Sequence, residues 1–337
     1  MQSYQVHFST DYYTRVLQTS RDSQHHAFMV WNWTTLPLWG KLLMVVLGTV
    51  LLLFCCAAGI GWWYYHPMVT RNNGIRYGER HNKALYFDII QPAKPHGAGI
   101  LVMVSGSWKS KAPGTFPTWL AAPFLRHGYT VFPIYHMSQP DATVMEIIED
   151  VHQATRFIRY RAMQYGIDPQ RIGVTGGSSG GHLSLMLATG GGSSHAVTGD
   201  PSDRASSNVQ AVAIFFPVTD LLNLGTSTEN PGDGGPPKNY VAAFGPDATK
   251  LITWKEIGKS CSPIYHITKH LPPIRIHHGD ADTLVPLEQS EWFQNQAKKM
   301  GHDVDIVIHS HGGHGWPTMF LDIFSMVKWF DKHLQAN

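Results

Sequence analysis

The sequence predicts an α/β fold in which helices cover both faces of a mostly parallel β-sheet, with one apolar N-terminal helix ahead of this domain. Three observations support the prediction. A glycine-rich turn, Gly176–His182, joins a β-branched run to an apolar helical run near the middle of the chain. Short strand-like runs alternate with helical periodicity from about residue 81 onward. No charged residue occurs between Leu42 and Tyr65, a stretch long enough for a helix that spans a bilayer.

The chain before this domain is predicted to have two parts. Residues 1–35 are polar and aromatic without a helical or strand period, and we interpret them as a tail of unknown role. Residues 36–65 are predicted to form a single transmembrane helix, because Trp39 and the aromatic cluster Trp62–Tyr65 suit the two interfaces of a lipid bilayer. A cleaved signal peptide is the alternative, since Cys56–Gly59 offers small residues.

The side of the membrane on which the following domain lies stays open. Lys41 precedes the apolar segment, whereas Arg71, Arg76 and Arg80 follow it. An excess of basic residues after the segment favours a cytoplasmic domain, but long domains cross membranes regardless of their charge. Under the signal-peptide alternative the protein is secreted.

The remaining sequence is predicted to be a linker, residues 66–80, followed by one domain, residues 81–337. A glycine- and proline-rich insertion around residues 223–262 is interpreted as a cap over a pocket, because long loops of this kind are usually functional. Strands are predicted near residues 85–90, 100–105, 129–135, 171–175, 210–216, 274–278 and 304–309. The clearest helices are predicted at residues 143–165, 179–188, 287–300 and 318–333.

The glycine-rich turn predicts a nucleophilic serine. A sharp strand-to-helix turn leaves no room for flanking side chains, and it exposes the serine hydroxyl beside the free N–H groups of the helix start. Two registers fit the sequence, one centred on Ser178 and one on Ser179. We favour Ser178, because it lies closer to the strand end and leaves Gly180 and Gly181 in the first helical turn. A glycine-rich loop that binds an anion, or no ligand at all, is the alternative.

A nucleophilic serine needs a histidine as its base and a carboxylate that orients this histidine. Two later strands end in such residues. The strand at residues 274–278 opens into Gly279-Asp280-Ala281-Asp282, and the strand at residues 304–309 leads into a histidine- and glycine-rich loop. Because the carboxyl ends of parallel strands meet at one edge of the sheet, these residues are expected near the serine. The candidate acids are Asp280 and Asp282, and the candidate bases are His309, His311 and His314.

The motifs GGSSGGHL, HGDADTLVP and GGHGW together resemble the α/β-hydrolase esterase/lipase family, near its acetyl-esterase and hormone-sensitive-lipase-like branches. The resemblance covers roughly residues 81–337 and implies the α/β-hydrolase fold, in which the acid and then the histidine follow the serine along the chain. It implies that Ser178 is the nucleophile, that Asp282 is the acid and that His314 is the base.

The first glycine-rich motif of this family departs from its usual form. Where the family carries a histidine, glycines and an aromatic residue, this chain has Ser105-Gly106-Ser107-Trp108. Backbone N–H groups stabilise the oxyanion of such enzymes, so side-chain changes need not abolish the oxyanion hole. The N–H groups of Ser107 and Ser179 are predicted as donors, with Gly106 as their neighbour. Candidates for the substrate pocket are Trp108 and Trp316, with ordinary packing as the alternative for both.

The composition argues against nucleic-acid binding, an internal disulfide and a metal site in the predicted domain. A net charge of +2 without a basic run gives no case for nucleic-acid binding. Of the three cysteines only Cys261 lies in the predicted domain, so this domain holds no internal disulfide. A metal site built from His309, His311 and His314 is considered, but no carboxylate or cysteine cluster completes a ligand set. We therefore predict neither a metal nor another cofactor.

The predicted function is the hydrolysis of a small carboxylic ester, of short-chain acyl or acetyl type, through a Ser-His-Asp triad and an acyl-enzyme. One alternative is a serine peptidase of the prolyl-oligopeptidase kind, although the roughly 80 residues ahead of the domain cannot build the propeller that such enzymes usually carry. The other is a membrane-tethered binding module without catalysis, which the unusual Ser105 motif keeps open. The sequence identifies neither the natural substrate nor the oligomeric state.

Overall fold

The computed structural model of the protein describes residues 37–190 and 199–335. Its strands are β1 (Val69–Arg80), β2 (Lys83–Pro92), β3 (Gly99–Met103), β4 (Thr130–Tyr135), β5 (Ile172–Thr175), β6 (Ala211–Phe215), β7 (Ile274–Gly279) and β8 (Val304–His309). They form one eight-stranded sheet in the order β1-β2-β4-β3-β5-β6-β7-β8. The β1–β2 and β2–β4 pairs are antiparallel, and every pair from β4 to β8 is parallel.

Helices cover both faces of this sheet. The first helix of the chain, α1 (Leu38–Tyr65), is not one of them. The covering helices are α2 (Thr118–Arg126), α3 (Val144–Tyr160), α4 (Ser179–Thr189), α5 (Leu251–Ser260), α6 (Glu288–Lys299) and α7 (Met319–His333). Residues of α3, α4, α5 and α6 share one apolar core, and residues of α2 and α7 share a second one. The side chains of β3 alternate between them, with Leu101 in the first core and Ile100 in the second. The structure confirms the mostly parallel α/β sheet that the sequence predicts.

The first strand, β1, occupies most of the segment that the sequence predicts to be a linker. Val69–Arg80 pair with β2 along their whole length, from Val69 opposite Pro92 to Arg80 opposite Lys83. His81 and Asn82 form the two-residue hairpin loop between them, and both have positive φ angles, as a type I′ turn requires. As an edge strand, β1 is polar and almost all of its residues are partly or fully exposed, so it lacks the apolar run by which the other strands are predicted. The linker prediction is wrong for Val69–Arg80.

The apolar segment forms the helix α1, Leu38–Tyr65. Among the described residues it is the one helix long and apolar enough to cross a membrane, and a signal sequence near an N-terminus meets the same criterion. The chain divides into two compact units, of which the first ends at Ile60 and the second begins at Gly61. The predicted tail, residues 1–35, lies outside the described residues.

Candidate active site

A glycine-crowded turn, Gly176–Gly181, connects β5 to α4, and we call it the serine turn. A Cβ atom on Gly180 would lie 2.7 Å from the carbonyl oxygen of Met103, and one on Gly181 would lie 2.8 Å from that of Phe215. Real Cβ atoms do not approach backbone so closely, so the turn can pack between β3 and β6 only with glycine at these positions. Ser178 precedes the helix with φ 56° and ψ −122°, a conformation that an L-residue adopts only where the surroundings enforce it.

The Ser178 hydroxyl begins a chain of hydrogen bonds through two further side chains. Ser178 Oγ lies 3.0 Å from His314 Nε2, and His314 Nδ1 lies 2.8 Å from Asp282 Oδ2. The other oxygen of Asp282 accepts the backbone N–H groups of Leu284 and Val285, each at 3.0 Å. Because the carboxylate accepts the proton on Nδ1, the tautomer with a bare Nε2 faces the serine.

The rival acid and the rival histidines occupy other positions. Asp280 accepts the backbone N–H of His311 at 2.6 Å, and its own N–H donates to the carbonyl of His309 at 3.1 Å. Asp280 therefore closes the loop after β7 onto the loop after β8, and Asp282 faces His314. The structure does not bring His309, His311 and His314 together, because His309 contacts His277 on β7 instead.

The loop after β3, Ser105–Ser110, lies beside the serine turn, and we call it the β3 loop. Ser107 has a positive φ of 53°, and within residues 37–190 and 199–335 its N–H has no hydrogen-bond acceptor. Ser179 is the first residue of α4, so its N–H has no acceptor within the helix. The N–H of Gly106 donates to the carbonyl of Lys109 at 3.0 Å, which leaves Gly106 as a neighbour of the two free donors.

A cavity of about 440 Å³ opens beside Ser178, and it has mostly apolar walls. Of the two residues that the sequence predicts for the substrate pocket, Trp108 lines this cavity. The apolar side chains of the lining that the sequence does not predict follow β6 and β7 or belong to the insertion after β6. Tyr240 lies in this insertion, contacts the Trp108 ring edge-on and bonds Ser107 Oγ through its hydroxyl at 3.1 Å. The further lining residues include Phe216, Val218, Leu221, Leu224, Glu229, Leu284 and Val285.

Trp316, the second predicted pocket residue, is not among the residues that line this cavity. Its ring stacks on His309 with 4.0 Å between ring centres, and its Nε1 donates to Asp322 at 2.7 Å. For Trp316 the structure therefore supports the packing alternative.

Buried histidines connect the parts of the site. Trp108 Nε1 donates to His182 Nδ1 at 3.1 Å, and His182 Nε2 donates to the carbonyl of Cys261 at 2.6 Å. Burial lowers the pKa of His182 to about 4, so its imidazole is neutral at pH 7 and can accept the tryptophan proton. The pKa of His278, buried behind Asp282, is likewise lowered by desolvation. Neither histidine is assigned by the sequence motifs.

The serine turn, the hydrogen-bonded Ser178, His314 and Asp282, and their position at the carboxyl ends of parallel strands define an α/β-hydrolase. Residues 87–297, more than half of the chain, match the BD-FAE family. The chain therefore belongs to the BD-FAE family of α/β-hydrolase esterases.

Similar proteins include two from Mycobacterium tuberculosis. The esterase LipQ is 29% identical over 60% of this chain and 47% of its own length, and the probable carboxylic ester hydrolase LipM is 28% identical over 53% and 41%. The chain thus spans about half the length of the curated relatives it matches.

Among solved structures, a truncated carbohydrate esterase from gut microbiota matches with a TM-score of 0.66 and 26% identity, over 79% of this chain and 97% of that one. A Thermogutta terrifontis esterase, Est2, matches with a TM-score of 0.61 and 25% identity, over 79% and 90%. Est2 has also been solved with propionate and with butyrate bound.

Proposed function

We propose that the protein is a serine hydrolase that cleaves small carboxylic esters. The observation that carries the proposal is the hydrogen-bonded series from Ser178 through His314 to Asp282 at the wall of an apolar cavity. His314 Nε2 takes the Ser178 proton as the oxygen attacks the ester carbonyl, and Asp282 stabilises the imidazolium that forms. His314 then protonates the leaving alcohol, and water releases the acid from the acyl-enzyme by the reverse transfer.

The developing oxyanion would be held by backbone N–H groups. Those of Ser107 and Ser179 lack other acceptors in the described part of the chain, and both residues line the cavity together with Ser178. Fixed donors of this kind are worth about 10² to 10³ in kcat each. The departures at Ser105 and Ser107 change side chains and leave these backbone donors in place.

We further propose a short acyl chain, acetyl to butyryl. The cavity of about 440 Å³ is small for a pocket that binds organic ligands, whose usual range is about 300 to 1,000 Å³. The similarity to Est2, which binds propionate and butyrate, agrees with this size. The insertion around residues 223–262 would act as the cap, because Leu224, Glu229 and Tyr240 line the cavity. Glu229 is buried there, and its two carboxylate oxygens accept hydrogen bonds from the backbone and side-chain N–H groups of Asn239.

The test uses the full chain in detergent with p-nitrophenyl acetate, butyrate and palmitate, and with acetyl p-nitroanilide. We expect turnover of the two short esters, little of palmitate and none of the anilide. A fluorophosphonate probe should form one adduct, mapped by mass spectrometry to Ser178. Anilide turnover comparable to that of the esters would make the protein a peptidase, an adduct on Ser179 would move the nucleophile, and a folded chain with neither turnover nor adduct would be a binding module.

We also propose that α1 anchors the protein in a membrane as a single span. Its 28 residues exceed the roughly 20 that a bilayer requires, and its most apolar window is fully exposed. The full chain should then stay in the membrane pellet after alkaline carbonate extraction. Release by carbonate would contradict the span, and a mature product that starts near Ala58 would favour the signal peptide. Protease protection of the intact vesicles would assign the side on which the catalytic domain lies.

A further inference from the structure

Three metal-ligating side chains converge behind the loop that carries His314, and we call them the histidine cluster: His277, His309 and Asp322. They come from β7, from the end of β8 and from the first turn of α7. His277 Nδ1 lies 3.0 Å from His309 Nε2, and Asp322 places one oxygen 3.9 Å from the first nitrogen and the other 3.8 Å from the second. The cluster therefore joins elements that are far apart in sequence.

These separations fit ligands of one ion. Zn²⁺ binds imidazole nitrogens and carboxylate oxygens at about 2.0 to 2.2 Å, so two ligands of a tetrahedral site lie roughly 3 to 4 Å apart. The carboxylate is beyond hydrogen-bond distance of both imidazoles, although it faces both of them. A hydrogen bond between the two histidines explains the short nitrogen-to-nitrogen distance but does not involve the Asp322 oxygen that faces His277.

The surrounding residues hold the ligands in place. Trp316 stacks on the His309 ring and donates its Nε1 to Asp322, which orients one ligand of each kind. Outer contacts of this type commonly orient metal ligands. His277 is fully buried, and its only hydrogen-bond partner in the described part of the chain is His309, since its Nε2 has none. An ion in the cluster would bind His277 through Nδ1, the nitrogen that faces both His309 and Asp322.

We propose that His277, His309 and Asp322 bind a divalent transition metal ion of the zinc type, with water completing the coordination. Imidazole and carboxylate ligands without thiolates suit this class of ion. None of the three residues lines the substrate cavity. The ion would therefore be structural, and it would hold Trp316, two residues after His314, against β8 and α7. The sequence groups His309 with its neighbours His311 and His314 instead, because its partners in the cluster are 32 and 13 residues away along the chain.

The test measures Co²⁺ and Zn²⁺ binding to the metal-stripped full chain in detergent, without a polyhistidine tag. Co²⁺ should give visible d–d absorption bands that saturate at one ion per chain, and Zn²⁺ should compete for the same site. At Zn²⁺ about 100-fold above its Kd, the Tm should rise by roughly 5 to 10 °C. Neither readout depends on esterase activity, so the result is independent of the proposed function.

Asp322→Asn separates the ion from simple packing, because asparagine can still accept the Trp316 hydrogen bond but is a poor metal ligand. We expect this variant and His309→Gln to lose the Co²⁺ bands and the Zn²⁺-dependent rise in Tm. His311→Asn is the matched control, since His311 is an exposed histidine of the same loop, and asparagine tolerates its φ of 57°. No saturable binding in the wild type, or equal binding in all four proteins, would overturn the proposal.

Discussion

The serine turn and the β3 loop are two serine- and glycine-rich segments at neighbouring strand ends, and the structure holds them in different ways. Each contains a serine with positive φ, 56° at Ser178 and 53° at Ser107. In the serine turn, backbone atoms of β3 and β6 occupy the space where side chains of Gly180 and Gly181 would lie. In the β3 loop, a Cβ atom on Gly106 would meet nothing within 4 Å.

The difference explains why one motif matches its family and the other departs from it. The serine turn is fixed by close approach of backbone to backbone, which admits only glycine. The β3 loop is held by side-chain bonds, such as Ser110 Oγ to the carbonyl of Val104 at 2.8 Å and Trp108 Nε1 to His182. Under the proposed function its backbone N–H groups would hold the oxyanion, so different side chains at Ser105 and Ser107 are compatible with that role.

The largest expected contrast is between the two serines with positive φ. Ser178→Ala should lower kcat by about 10⁴ to 10⁶, because no hydroxyl remains to attack the ester. Ser107→Ala keeps its backbone N–H and should cost less than about 10-fold. Both variants are measured with p-nitrophenyl acetate at matched folded fractions, with Ser179→Ala as the control for the alternative register. A larger loss in Ser179→Ala than in Ser178→Ala would reverse the assignment.

The second contrast is between two glycines. Gly180→Ala places a Cβ atom 2.7 Å from a backbone oxygen, so it should lower the free energy of unfolding by about 1 to 3 kcal/mol or more and displace Ser178. Gly106→Ala has open space and ordinary φ, and it should change stability by less than about 0.5 kcal/mol. Denaturant titration measures both. Equal losses would mean that the β3 loop is as tightly confined as the serine turn.

The third contrast, which appears only at acid pH, concerns His182, the residue that joins the two segments. Its folded-state pKa of about 4 lies below the usual 6.5, so the unfolded chain binds its proton more readily. This contribution to stability is complete above pH 6.5 and falls as the pH drops towards 4, by on the order of 2 to 3 kcal/mol. His182→Gln keeps a donor and an acceptor but does not titrate. Its stability should therefore fall less steeply than that of the wild type between pH 7 and pH 4, and parallel curves would contradict the assignment.

The sequence predicts the parallel part of the sheet well. Strands β3 to β8, the antiparallel strand β2 and helices α3, α4, α6 and α7 lie within a few residues of their predicted bounds, because buried strands are apolar runs bounded by turn residues. The serine turn and the predicted triad positions follow from local motifs at strand ends, which is why their proximity could be predicted before the structure.

Other features could not be predicted, for physical reasons. β1 is a polar edge strand without an apolar run. α2 contains Pro123, and a proline inside a segment usually indicates that no helix continues through it. Tyr240 and Glu229 reach the cavity from an irregular insertion without periodicity. Trp316 belongs to a motif of the active site but packs behind it, since sequence proximity to His314 does not give the direction of a side chain.

The insertion connects β6 to β7, which are adjacent parallel strands of the sheet. It supplies cavity walls but no strand of the sheet and none of Ser178, Asp282 or His314. Evolution can therefore exchange this segment as a module and alter which esters fit, while the reactive groups keep their geometry. Such an exchange is constrained by the contact between this insertion and the β3 loop, where Tyr240 hydrogen-bonds Ser107 and its ring contacts that of Trp108. A replacement segment that does not match this contact would disturb the proposed oxyanion donor at Ser107 along with the pocket, so we expect new specificities to retain an aromatic hydroxyl or an equivalent partner there.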